Sequence, residues 1–306
     1  MLKKIVIGSR GSDLALWQSK WVISQLEKIY PQTELKLQVI KTEGDKILDT
    51  ALSKIGDKGL FTKALEDALI EGSIDIAVHS LKDVPTLLPN GLGIAAVSRR
   101  EDPRDVFISL KHNSLDELPE GATIATGSLR RKCQLLNFRA DFNIKDIRGN
   151  INTRIKKLEE SGWDAMILAF AGIKRLGLDK YIKQIIPEDI ILPAVGQGVI
   201  ALETRLEDTD VNKMAEPLNN SESMYQAAAE RSLLKTVEGG CQVPVGVFTK
   251  ISDEVLSIDA MIGSIDGTKV IKCKMEDNIR CAEELGKRAG LELLQRGGRE
   301  ILQKLH

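Results

Sequence analysis

The run Ile74-Asp75-Ile76-Ala77-Val78 stops short in His79-Ser80-Leu81-Lys82-Asp83-Val84-Pro85. Its apolar, β-branched first half reads as a buried strand. The second half is polar and ends at a proline, which cannot continue a ladder. Polar residues at the carboxyl end of a buried strand are where open α/β sheets hold their ligands. Lys82 and Asp83 stand side by side there, and the lysine charge favours the carboxylate form of Asp83. A surface Lys-Asp pair in a turn is the plainer reading of such a dipeptide. Its neighbours favour a site.

The first 30 residues repeat the theme. Lys3–Ile7 is a strand, Gly8-Ser9-Arg10-Gly11-Ser12-Asp13 a glycine-bearing turn, and Leu14, Trp17, Trp21, Val22, Leu26 and Ile29 recur at helical spacing. Ser12 or Asp13 is the expected N-cap. Arg10 lies at the helix opening, where free N–H groups and the helix dipole favour anions. A second strand, Leu35–Ile40, precedes a charged, glycine-dotted stretch, Thr42–Lys58, which reads as a lid. Phe61, Leu65 and Leu69 then mark the helix that leads to the central strand.

Strand-to-helix junctions bearing arginine recur downstream. Thr126-Gly127-Ser128-Leu129-Arg130-Arg131 follows one strand, Arg148-Gly149-Asn150 with Arg154 follows another, and Arg175 comes soon after Trp163–Phe170. Four such junctions point to a polyanionic ligand, because a guanidinium forks onto a carboxylate. The net charge is only −1 and aromatic residues are 4% of the chain, which argues against a nucleic-acid groove. No apolar run is long enough to span a bilayer. Cys133, Cys241, Cys273 and Cys281 show no metal-ligand spacing, so no metal is expected, and a reducing cytoplasm fits.

Ser98–Asp105 and Leu192–Gly198 read as two crossings between lobes, with Val199–Glu203 a strand returning to the first, the arrangement of two-lobed hinge proteins. Beyond Glu216–Asn220, Ser221 is expected to cap a helix. Leu256–Ile262 and Lys269–Met275 form a hairpin about Asp266-Gly267, and one last helix runs from Ile279 to Leu305. Cys273 and Cys281 read as structural. Cys241 differs: Gly239-Gly240 and Val243-Pro244 place it on a loop where a group could approach its sulfur.

Val78–Pro85, Thr126–Arg131, Arg148-Gly149-Asn150 and Gly239-Gly240-Cys241, in this order, resemble the porphobilinogen deaminase (hydroxymethylbilane synthase) family from the first strand to the last helix. The expected fold is α/β: two periplasmic-binding-protein-like lobes with mainly parallel sheets and a double hinge crossing, plus a smaller α+β domain with an antiparallel sheet. Residues 1–98 with 199–216 would form domain 1, 104–193 domain 2, and 218–306 domain 3. The resemblance implies a dipyrromethane cofactor on Cys241 through a thioether, and Asp83 as the catalytic carboxylate. It implies that Arg10, Arg130, Arg131, Arg148, Arg154 and Arg175 bind acetate and propionate groups, helped by Ser12, Lys82, Thr126 and Ser128, with Phe61 packing on a ring. The implied activity is the head-to-tail condensation of four porphobilinogen molecules with loss of ammonia and hydrolytic release of hydroxymethylbilane, a step of tetrapyrrole biosynthesis. A cytoplasmic monomer without nucleic-acid or membrane partners is expected. The rival reading is a non-catalytic two-lobed polycarboxylate-binding protein, which gives no reason for Lys82-Asp83 or for the glycine-framed cysteine.

Overall fold

The computed structural model describes residues 2–46, 59–237 and 243–304. The chain divides into two compact units. Of the described residues, one comprises 2–46, 59–101 and 198–224, and the other 102–197, 225–237 and 243–304.

The first unit holds strands β1 (Lys4–Ser9), β2 (Glu34–Val39), β3 (Ile76–Ser80), β4 (Leu92–Val97) and β10 (Ile200–Arg205), in the order β2-β1-β3-β10-β4. β1 is parallel to β2 and β3, whereas β10 is antiparallel to both neighbours. Four strands therefore run one way, and the returning strand runs against them. Helix α1 (Asp13–Ile29) packs on one face through Val22 and Leu26, against Ile5, Ile7, Ile76 and Val78. Val211 and Met214 of α7 (Thr209–Ala215) join that cluster. After a single helical turn, α2 (Glu43–Lys46), helix α3 (Lys63–Ile70) covers the other face through Leu65 and Leu69, against Ile74 and Ala77. Each fully buried leucine, isoleucine or valine among these contributes about 1.5–3 kcal/mol. Trp17 and Ile29, expected in the α1 stripe, are exposed, because the buried face follows Ala15, Gln18, Ser19, Val22 and Leu26.

The second unit carries two sheets. β5 (Asp105–Ile108), β6 (Thr123–Ala125), β7 (Asn143–Lys145), β8 (Ala165–Ala169) and β9 (Ile182–Ile185) take the order β7-β6-β8-β5-β9. β6 is parallel to β7 and β8, and β5 is antiparallel to β8 and β9. Helices α4 (Leu129–Phe138), α5 (Ile151–Ser161) and α6 (Phe170–Arg175) follow β6, β7 and β8. The other sheet is antiparallel: β11 (Val245–Ser252), β12 (Val255–Gly263) and β13 (Val270–Asn278). Its inner face packs with α8 (Ser221–Thr236) and α9 (Ala282–Leu293) through Leu233, Ile258, Ile262, Leu285 and Leu293.

Three local expectations are corrected. Asn220, not Ser221, caps α8: its side chain accepts from the Ser223 N–H and its carbonyl from the Met224 N–H. The last helix is broken after α9, where Gly297 takes φ 109°, before α10 (Arg299–Gln303). An L side chain rarely adopts that conformation, so the glycine pair ends the helix despite the apolar spacing around it. Cys281 is exposed ahead of α9, whereas Cys273 is buried in β13.

Gly286 on α9 lies so close to α8 that an added methyl would run into the Ala229 carbonyl oxygen. Alanine is the better helix former by about 1 kcal/mol. Overpacking against a fixed backbone costs more, so Gly286→Ala should lower stability by about 2–3 kcal/mol in urea unfolding.

Candidate active site

In the first unit the site is built where β1 and β3 end. β1 stops at Ser9, Arg10 follows, and Ser12 caps α1 by accepting from the Ala15 N–H at 3.4 Å. β3 stops at Ser80, and Leu81–Asp83 forms one 3-10 turn closed by the Val84 N–H on the Leu81 carbonyl at 3.1 Å. The Leu81 N–H is held by the Val199 carbonyl at 2.9 Å, so the chain entering β10 supports the turn. Gln18 of α1 donates to the Ser80 hydroxyl at 2.8 Å and ties the helix to the strand end.

Arg10, Ser12, Gln18, Phe61, Ser80 and Asp83 face one hollow with about 380 Å³ of unfilled space, part of it open to solvent. The Arg10 guanidinium lies over the Phe61 ring, 4.2 Å from its centroid. Phe61 in turn packs against Gly44: a Cβ at Gly44 would collide with the ring, and the Gly44 N–H donates to the Leu60 carbonyl at 2.9 Å. The hollow thus has a guanidinium on an aromatic face, a half-buried carboxylate and several hydroxyls. Lys82 is half-buried beside Asp83.

Behind the hollow is a buried group of titratable side chains. His79 Nε2 lies 3.0 Å from Glu203 Oε2, and the two side chains are 3% and 0% exposed. Glu66, on the α3 face turned to the sheet, is also buried. Burial pushes the Glu66 carboxyl up, and the charge of Glu203 adds to this, while the Thr62 hydroxyl and His79 act in the opposite direction.

The second unit repeats the turn. The Ser128 hydroxyl caps α4 by accepting from the Arg131 N–H at 3.4 Å, and the Ser128 N–H donates to Thr126 Oγ1 at 3.3 Å. Arg130 and Arg131 do not lie on an open loop. They are 5% and 6% exposed and converge on Asp105, the first residue of β5, at 2.8 and 2.7 Å. Burial pushes the Asp105 carboxyl up, but the two guanidiniums more than offset this and hold it well below the usual carboxylate range. Arg131 Nη1 also donates to the Ile167 carbonyl at 3.1 Å. After β7, Arg148 precedes the Gly149 turn, and Arg154 Nε donates to the Gly149 carbonyl at 2.8 Å from the first turns of α5. Arg175 is the last residue of α6 and is half-buried.

The expected residues thus form two sets. Arg10, Ser12, Phe61 and Asp83 share the hollow of the first unit, and Arg130 and Arg131 share Asp105 in the second. Cys241 and most of the expected lid, Thr42–Lys58, lie outside the described residues. Sequence reading missed Gln18, whose only signal is a polar residue on the buried stripe of α1. It also missed Asp105, a charge opening an apolar strand, and the buried His79–Glu203 pair. No metal-binding cluster of His, Cys, Asp and Glu, and no helix long and apolar enough to cross a membrane, occurs among the described residues.

Residues 5–213 match the family model "Porphobilinogen deaminase, dipyromethane cofactor binding domain", and residues 224–295 match "Porphobilinogen deaminase, C-terminal domain". The chain is 50% identical over 282 residues to the porphobilinogen deaminase of Desulforamulus reducens, covering 92% of this chain and 91% of that one. It is 48% identical over 284 residues to the enzyme of the same name from Chloroherpeton thalassium, with 92% and 90% covered. Among solved structures it is similar to a methionine-binding protein at 16% identity and a TM-score of 0.46, over 75% of this chain and 95% of that one.

Glu66 yields a pH prediction. Its folded-state pKa is raised above the ordinary 4.5, so its stability contribution is complete below that value and is lost as pH rises through the folded pKa. Glu66→Gln, which cannot ionise, should therefore gain stability relative to the unsubstituted chain as pH rises from 4 to 8. Urea midpoints across that range measure the difference.

Proposed function

The chain belongs to the porphobilinogen deaminase family, and from that premise we propose that it joins four porphobilinogen molecules head to tail, releasing ammonia at each step and hydroxymethylbilane at the end. The observation that carries the mechanism is the hollow at the ends of β1 and β3, where Arg10 and Asp83 face the same space.

Porphobilinogen carries two carboxylates on each pyrrole, so the growing product is a polyanion. Arg10 binds one carboxylate with its orientation fixed by Phe61, and Ser12 and Lys82 add donors beside it. When ammonia leaves the aminomethyl carbon, positive charge collects on the pyrrole N–H. A carboxylate held there in advance stabilises it, an effect typically worth about 3 kcal/mol. That Asp83 sits on a turn whose backbone is pinned at the Leu81 N–H supports this role. After the new carbon–carbon bond forms, the joined ring carbon must lose a proton, and the departing ammonia must gain one. Asp83 can carry that proton, so each cycle closes without net proton uptake.

The second unit supplies the carboxylate receptor. Arg131 Nε and Arg148 Nη2 are buried without a hydrogen-bond partner, as suits groups awaiting an anion. Arg130, Arg131, Arg148, Arg154 and Arg175, with Thr126 and Ser128, would hold the acidic groups of the dipyrromethane and of the rings added to it. When bound to Cys241 through a thioether, that group supplies the free pyrrole carbon onto which the first ring is joined. Cys133 and Cys273 are poor rivals as attachment points: both are buried, and burial pushes their thiols up to about 12 and about 11. Cys133, Cys273 and Cys281 are all unbridged, which supports a cytoplasmic enzyme.

Intact mass under denaturing conditions tests the reading. The unsubstituted protein and Cys281→Ala should carry a mass excess of two pyrrole units, and Cys241→Ala should not. An unmodified protein that porphobilinogen fails to convert would instead favour a non-catalytic polycarboxylate binder. Asp83→Asn should lower kcat by about 10²–10³ in a porphobilinogen turnover assay while the mass excess remains. Near-full activity in that variant would remove the carboxylate from the mechanism.

A further inference from the structure

Asp105 stands where the chain enters the second unit, at the start of β5, and is fully buried. Arg130 Nη1 donates to its Oδ2 at 2.8 Å, Arg131 Nη2 to its Oδ1 at 2.7 Å, and Gln197 Nε2 to the same Oδ1 at 2.9 Å. Two of these donors also reach backbone carbonyls: Arg130 Nη1 that of Leu192 at 2.6 Å, and Gln197 Nε2 that of Pro103 at 2.6 Å. One carboxylate therefore fastens two guanidiniums and both connectors, Asp102–Asp105 and Leu192–Gln197.

The charges do not balance. Two guanidiniums against one carboxylate leave one positive charge in excess, among side chains that are 7% exposed or less. Burying an uncompensated charge is unfavourable, and Arg131 Nε has no hydrogen-bond partner. Two guanidiniums share one carboxylate here, and the charge of a carboxylate ligand would offset the excess.

We propose that Asp105 is the positioning residue for carboxylate recognition by Arg130 and Arg131, aiming both guanidiniums and linking that aim to Gln197 in the returning connector. The inference rests on the reading of Arg130 and Arg131 as ligand-binding groups. Charge and geometry give opposite signs here, which makes it testable. Removing the carboxylate raises the local excess from one positive charge to two, so a pure field effect would tighten anion binding. Loss of aim would weaken it.

The experiment compares KM and kcat for porphobilinogen in holoenzyme whose loading is verified by intact mass, using Asp105→Asn, Asp105→Glu, Gln197→Ala and Arg131→Lys. For Asp105→Asn the expected result is a KM raised about tenfold, the scale of one charged hydrogen bond, with kcat changed much less. Asp105→Glu should restore part of the loss. A merely structural role would cut the folded fraction, lowering apparent kcat and leaving KM alone. A KM that is unchanged or lower in Asp105→Asn, with KM raised in Arg131→Lys, overturns the role of Asp105. Unchanged KM together with an undiminished mass excess in Arg131→Lys overturns the ligand reading beneath it. If neither Asp105 variant folds and loads, Gln197→Ala decides: a KM raised about threefold supports the link, being roughly the worth of one neutral hydrogen bond, and an unchanged KM overturns it.

Discussion

Strand β10 hydrogen-bonds on both edges, to β3 and to β4, and the first sheet exists as one sheet because of it. Its residues come from far along the chain, after the second crossing. In its place β10 does three things at once. It closes the sheet, it buries Glu203 against His79, and the residue that leads into it, Val199, holds the turn bearing Asp83. The geometry at the end of β3 is therefore set by a segment that is local in space and distant in sequence.

The second unit uses the same plan. Its main sheet also has a strand that enters after a crossing and runs against its neighbours, and that strand opens with Asp105. In both sheets the parallel strands end on one edge, where helix N-termini begin. This is why the arginine- and serine-bearing turns of the sequence become neighbours within each unit. Side-chain caps from Ser12, Ser128 and Asn150 start the helices there, with arginines in or beside the capped turns, two of which, Arg130 and Arg131, rest on a buried carboxylate.

The strands and turns were legible because their signals are local. Ile76–Ser80 is a short apolar run stopped by polar residues and a proline, and Asp266-Gly267 marks its hairpin without reference to the rest of the chain. Strand direction has no such local sign, so the reversal of β5 and β10 was not readable. Nor was the partnership of Arg130 with Asp105, 25 residues away, because a charge at the start of a strand reads as surface until its partner is known. Gln18 was hidden for the opposite reason: a helical stripe is counted by its apolar members, and the polar one that reaches Ser80 drops out of the count. At the last helix the glycine pair was visible, but the spacing of Leu285, Ala289 and Leu293 outweighed it. Backbone conformation at Gly297 decided the matter.

The strand order also fixes a schedule. Without β10, β3 and β4 have no shared hydrogen bonds, so the sheet that begins at Lys4 cannot close until Arg205 has been synthesised. The main sheet of the other unit lies wholly between Asp105 and Ile185 and has every strand it needs earlier. On the ribosome the part made first is therefore completed later, and the open edges of β3 and β4 must wait, unpaired and prone to wrong partners, while the intervening chain emerges.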